Sequence, residues 1–205
     1  MIQKPKRDVN IFLYPGDWSN FLKSIDKSKN KLLYDLQFNT GARFDEVLHS
    51  RPMDFDFERN NVRLWKTKTK AKKGETVGKP RTISLSSEFS KRIKRFCSDK
   101  KPDEYLFKVS QAGYNQLLKR KLKELNVLNS ESYSSHNIRK THEMYLKALG
   151  IDIAEICTRL GHDYNTYIKH YGSADVFSEK DFGGIKNLLG DLYSRQRRYW
   201  WKNYS

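Results

Sequence analysis

The chain has 205 residues, enough for one generous domain or two very small ones, with 37% hydrophobic and 13% aromatic residues. That content supports a buried core and excludes a disordered tail protein. Forty Lys and Arg against 24 Asp and Glu leave a formal charge of +16, a self-repulsion that an anionic partner relieves, so the composition points to a polyanion.

The first 16 residues are basic and contain two prolines, and they read as an arm. Asp17 or Ser19 caps a helix carrying Trp18, Phe21, Leu22 and Ile25. A second helix is predicted from Lys29 to Asn39, with Leu32, Leu33 and Leu36 at helical spacing and Gly41 after its end. A third begins near Ala42, carries Val47 and Leu48, and stops before Pro52. The texture then changes. Residues 53–57 alternate, Asn60-Asn61 reads as a turn, residues 62–65 alternate again, and residues 81–85 form a third short strand. These make a small antiparallel sheet whose second connection, Lys66 to Lys79, is long, basic and glycine-containing.

From Ser86 onward the pattern is helical, through Phe89, Ile93, Phe96 and Cys97, then Tyr114, Leu117, Leu118, Leu122 and Leu125. Two further helices run from His136 to Leu149 and from Ile151 to Leu160. A turn leads to the segment Tyr164 to Tyr171, a softer stretch follows, and Leu188, Leu189, Leu192 and Tyr193 mark a last amphipathic helix. Residues 194–205 mix cations with aromatics. No apolar run approaches the ~20 residues of a membrane helix, and the N-terminus lacks the apolar core of a signal peptide. Cys97 and Cys157 each sit inside an apolar helical pattern, which fits buried thiols in a reducing compartment better than a disulfide or metal site. The chain therefore reads as soluble and intracellular.

The chemistry lies in the order of a few polar residues. Arg43 stands at a helix start with Glu46 three residues on. Lys68 follows the second strand in Thr67-Lys68-Thr69. Downstream come His136-Asn137-Ile138-Arg139, then Leu160-Gly161-His162, then Tyr171 nine residues after that histidine. An arginine fork keeps its charge at any working pH and matches the non-bridging oxygens of a phosphodiester, so Arg43 and Arg139 form a natural phosphate clamp. His136 and His162 can handle protons.

This series of two arginines, a lysine, two histidines and a late tyrosine resembles the tyrosine recombinase (phage integrase) family, over about Asp17 to Tyr193. The resemblance implies an α+β, mostly helical catalytic domain with a small three-stranded antiparallel sheet, flanked by an arm (1–16) and a basic aromatic tail (194–205). It implies Tyr171 as nucleophile, forming a 3′-phosphotyrosyl bond to DNA, and Lys68 as the general acid for the departing sugar oxygen. Glu46 is then an orienter of the arginines. The covalent intermediate conserves the energy of the broken bond, so no cofactor, ATP or metal is expected. Double-stranded DNA is the expected partner, contacted by Lys66, Lys70, Lys72, Lys73, Lys79 and Arg81. A homo-oligomer on DNA is expected, with exchange of the last helix between protomers and Gly183-Gly184 as a permissive hinge.

Alternatives stay open on residues alone. Lys66, Lys68 and Lys70 alternate on one strand face, so phase does not separate them. Tyr164 and Tyr167 share a segment with Tyr171, and only the nine-residue offset selects the latter. His136, His142, His162 and His170 have neither the helical spacing nor the carboxylate or thiolate company of a metal site. Two other functions fit: a type IB topoisomerase-like nicking-closing enzyme, and a catalytically silent DNA-binding module of the same fold.

Overall fold

The computed structural model describes residues 11–65, 80–171 and 176–193, with backbone alone at 166 and 169–171. Helix α1 (Pro15–Lys23) starts on its own proline, whose fixed φ suits a first turn; Asp17 falls within that turn instead of capping it. Helix α2 (Ser28–Thr40) ends where Gly41 takes φ +62°, and α3 (Phe44–Leu48) follows after three residues, 41–43. The sheet comprises β1 (Phe55–Asp56), β2 (Asn61–Leu64) and β3 (Arg81–Ser84), antiparallel in sequence order. Phe55 pairs with Val62, Val62 with Ile83, and Leu64 with Arg81. Val62, Leu64 and Ile83 turn inward, while Arg63 faces out.

Helices α4 (Ser87–Cys97), α5 (Gln111–Glu124), α6 (Ser135–Ala148), α7 (Ile153–Leu160), α8 (Tyr164–Tyr171) and α9 (Glu179–Leu189) complete the domain, and a 3-10 turn (Gly190–Tyr193) closes the described chain. Side-chain caps begin several of them. Ser86 accepts from the Phe89 amide, Ser110 from Gly113 and Asp152 from Ala154, satisfying donors that a helix start leaves without partners.

The centre is α2 packed along α6. Trp18 stacks on Phe38 at 4.5 Å, and Tyr34 meets Phe21 edge-on and Tyr114 at 4.1 Å. Both cysteines are buried free thiols.

Two expectations change. Residues 11–16 are not a loose arm: Leu13 is fully buried, its amide donates to Thr141 and its carbonyl accepts from Tyr145. Pro15 lies so close to α9 that a Cβ on Gly184 would stand 2.7 Å from it. Gly183 and Gly184 are therefore not a hinge here but lie inside α9, where Gly184 allows close helix contact. Among the described residues no helix is long and apolar enough to cross a membrane.

Candidate active site

Two turns and one helix build the site. Gly41 ends α2 in the left-handed conformation, which sends the chain directly into Arg43, the N-cap of α3. An N-cap leaves its own amide open, and an acidic residue three positions on can reach back to it. Glu46 does so, accepting from the Arg43 amide at 2.7 Å and from its Nη1 at 3.3 Å. The three-residue spacing is thus the spacing of a cap, which also fixes where the Arg43 side chain starts.

The second turn ends α7. Gly161 takes φ +66°, and the amides of Gly161 and His162 both donate to the Cys157 carbonyl at 2.8 and 3.2 Å. That geometry presents the carbonyls of Leu160 and Gly161 toward the first turn. Arg139, on α6, joins the two: Nη1 donates to Gly41 O at 2.8 Å and Nη2 to Leu160 O at 2.7 Å. Arg43 Nη2 reaches Gly161 O at 3.3 Å. Arg43, Arg139 and Glu46 are thereby brought to the same two turns, and His162 directly follows the second in the chain. His136 is exposed in the first turn of α6, three residues before Arg139.

The remaining residues are placed differently. Arg81, expected among the DNA contacts, sends a bidentate fork onto Glu46 at 2.6 and 2.7 Å and donates from Nε to the Arg159 carbonyl. It is an anchor of the site, and its side chain is only 14% exposed. Glu46 therefore sits between two arginines. Burial alone would raise its pKa, but the Arg81 hydrogen bonds and charge, aided by Arg43, hold it below the ordinary carboxylate value. Lys66, Lys68, Lys70, Lys72, Lys73 and Lys79 lie outside the described residues. Tyr171 is the last residue of α8 and only its backbone is described. Tyr167 is 3% exposed, and burial, with nearby Glu143, raises its phenol pKa. Tyr164 is 58% exposed.

Sequence reasoning missed Arg159, His142 and Glu143. Arg159 is buried, and among the described residues no carboxylate is bonded to it: Nε donates to His142 Nε2 at 3.0 Å, and Nη2 donates to Asn39 O at 2.7 Å and Ser84 O at 3.0 Å. The Tyr193 ring lies 5.8 Å from its guanidinium carbon. Burial, then Arg159 and Arg139, push the His142 pKa well below its ordinary value, so this ring is neutral and accepts at Nε2. The available signal was weak: a charged residue in the last turn of a helix ordinarily reads as a dipole partner.

Charge bookkeeping distinguishes the arginines. Arg43 and Arg81 share the Glu46 carboxylate, and two main-chain carbonyls orient Arg139. The cluster is therefore a preorganised positive site, suited to an anion on which charge accumulates.

The model of the phage integrase family matches residues 12–176. This chain belongs to the phage integrase family. Tyrosine recombinase XerA of Saccharolobus solfataricus is 28% identical over 141 residues, covering 69% of this chain and 44% of that protein. The XerA of Pyrococcus furiosus is 27% identical over 173 residues, covering 82% and 58%. The chain thus spans about half the length of these curated relatives. Among solved structures, the catalytic domain of bacteriophage HP1 integrase superposes with a TM-score of 0.58 at 17% identity, covering 94% of this chain and 96% of that one. A crystal structure of XerA recombinase gives 0.64 at 16% identity, covering 89% and 67%. The integrase-family fold is mostly helical with a three-stranded antiparallel sheet, as the sequence predicts.

Proposed function

We propose that this chain is the catalytic domain of a site-specific tyrosine recombinase that cleaves and rejoins double-stranded DNA. The supporting observation is the pair of guanidinium groups, Arg43 and Arg139, both held by carbonyls of the same two glycine-ended turns, those of Gly41, Leu160 and Gly161. They clamp the non-bridging oxygens of the scissile phosphate. The Tyr171 oxygen attacks phosphorus; a P–O bond to tyrosine forms and the P–O5′ bond breaks. Ionising a free phenol at pH 7 costs about 4 kcal/mol, which the cationic site and a proton acceptor, His136 or His162, reduce. Lys68 supplies the proton to the departing 5′ oxygen. Rejoining reverses these steps, so no cofactor is consumed.

Double-stranded DNA as partner agrees with the +16 charge and with structural relatives described in complex with DNA, among them XerH bound to its difH substrate and the Tn1549 transposon integrase with transposon-end DNA. The hairpin lysines Lys66, Lys70, Lys72, Lys73 and Lys79 contact its backbone. The protein acts as a homo-oligomer on DNA inside a prokaryotic cell, exchanging its last helix between copies, on a viral, plasmid or chromosomal site.

The test is covalent trapping on a nicked suicide substrate. A denaturation-resistant protein–DNA adduct forms with the wild type, disappears in Tyr171→Phe, and persists in Tyr164→Phe and Tyr167→Phe. Arg43→Ala or Arg139→Ala lowers cleavage on the order of 10²-fold or more. Salt-sensitive DNA binding without any adduct makes the chain a silent DNA-binding module instead.

A further inference from the structure

Glu143 lies on α6, one turn after Arg139, and none of its side chain reaches solvent. Removing a carboxylate from water costs several kcal/mol unless a partner compensates. Neither carboxylate oxygen has an aligned hydrogen bond among the described residues. Its ion-pair contact is with His162, whose Nε2 stands 3.3 Å from Oε1 and whose side chain is 6% exposed. The ring is held from another side by Tyr167, edge-on at 6.4 Å. The other groups that sense the Glu143 charge are Lys140, one turn earlier, Cys157 on α7 and Tyr167 on α8. A buried carboxylate therefore faces a histidine that directly follows the turn whose carbonyls hold Arg43 and Arg139.

We propose that Glu143 is the positioning residue for His162: it receives the Nε2 proton, fixes the ring plane and tautomer, and leaves the proton chemistry of the ring to Nδ1. The proposal rests on the reading that His162 takes part in DNA cleavage. A histidine whose one nitrogen is committed to a carboxylate presents the other in a defined direction, which is how outer partners orient functional imidazoles. The contact is longer than an ordinary charge-assisted hydrogen bond and is out of line. Catalytic hydrogen bonds commonly tighten only when substrate is bound.

Glu143→Met removes the acceptor with little change in side-chain length, and Glu143→Gln keeps one oxygen acceptor. In single-turnover cleavage at saturating suicide DNA, Glu143→Met is expected to slow adduct formation about 10- to 100-fold, with DNA affinity unchanged, and Glu143→Gln to recover part of that loss. In the His162→Ala background, Glu143→Met should have no further effect, because the two act as one unit. Rate losses that multiply overturn the proposal, since a merely structural carboxylate acts independently of His162. A direct reading on the wild type uses histidine-selective ¹⁵N labelling. Two-bond correlations should show His162 protonated at Nε2, and an Nδ1–H tautomer overturns the proposal even if Glu143→Met fails to fold. A wild type that forms no adduct refutes the recombinase reading, whereas the tautomer measurement judges the Glu143 contact on its own.

Discussion

Replacing Glu46 by Gln removes one negative charge from between two arginines while leaving the shape of the side chain nearly unchanged. Glu46 is fully buried and accepts both arms of the Arg81 fork, the Arg43 amide and Arg43 Nη1. Breaking a buried ion pair at one partner typically costs 3–5 kcal/mol. Solvent reaches 14% of the Arg81 side chain and 37% of Arg43, and Gln still offers one oxygen, so the expected loss is about 2–3 kcal/mol. For a domain of this size that lowers Tm by roughly 5–10 °C. The pH dependence sharpens the test. The folded-state pKa of Glu46 lies below its ordinary 4.5, so the folded chain binds fewer protons at this site than the unfolded one. Its contribution is complete above that ordinary value and is lost as the pH falls through the folded value. Urea unfolding of both proteins from pH 7 to 3 should show a constant gap that closes only below about pH 4.5. A gap under about 0.5 kcal/mol at pH 7, or one that persists unchanged at pH 3, refutes the reasoning.

Gly41→Ala is expected to lose about 2–5 kcal/mol, since φ +62° disfavours a Cβ that would also stand 2.4 Å from Leu160 Cδ2 and 2.7 Å from His142 Cδ2. Gly150→Ala, at φ +72° with nothing within 4 Å, should lose only the conformational part, about 1–2 kcal/mol; equal losses in denaturant titrations contradict the packing argument. His142 is buried and kept neutral, so the unfolded chain takes up the proton first, and stability should fall as the pH drops below about 6.5 by up to ~1.4 kcal/mol per pH unit. His142→Gln can still accept from Arg159 but does not titrate, and its stability should lack that acid step; parallel pH profiles for the two proteins exclude the assignment.

The sequence made the helices legible where apolar spacing and a stop signal coincided. Gly41 and Gly161 mark the ends of α2 and α7, and Ser86 caps α4. It was less informative where tertiary contact overrides local signal. Residues 11–14 read as a basic arm because their neighbours are charged, yet Leu13 is buried against α6. The paired glycines read as a hinge, but a helix can include them when Pro15 needs the room. In the site, Arg43 and Glu46 were legible because a cap links them locally. Arg81, His142 and Arg159 were not, because their partners lie 35, 17 and 120 residues away, and no local pattern encodes a carbonyl or an imidazole waiting across the core.

The acceptors that seat Arg139 and the outer arm of Arg43 are peptide oxygens, which every residue type carries. Drift among neighbouring side chains cannot delete them; only a change in the course of the two glycine-ended turns can. The cradle is therefore inherited with the topology, and surfaces elsewhere on the chain are at liberty to diversify while the grip on the guanidinium groups stays where it is.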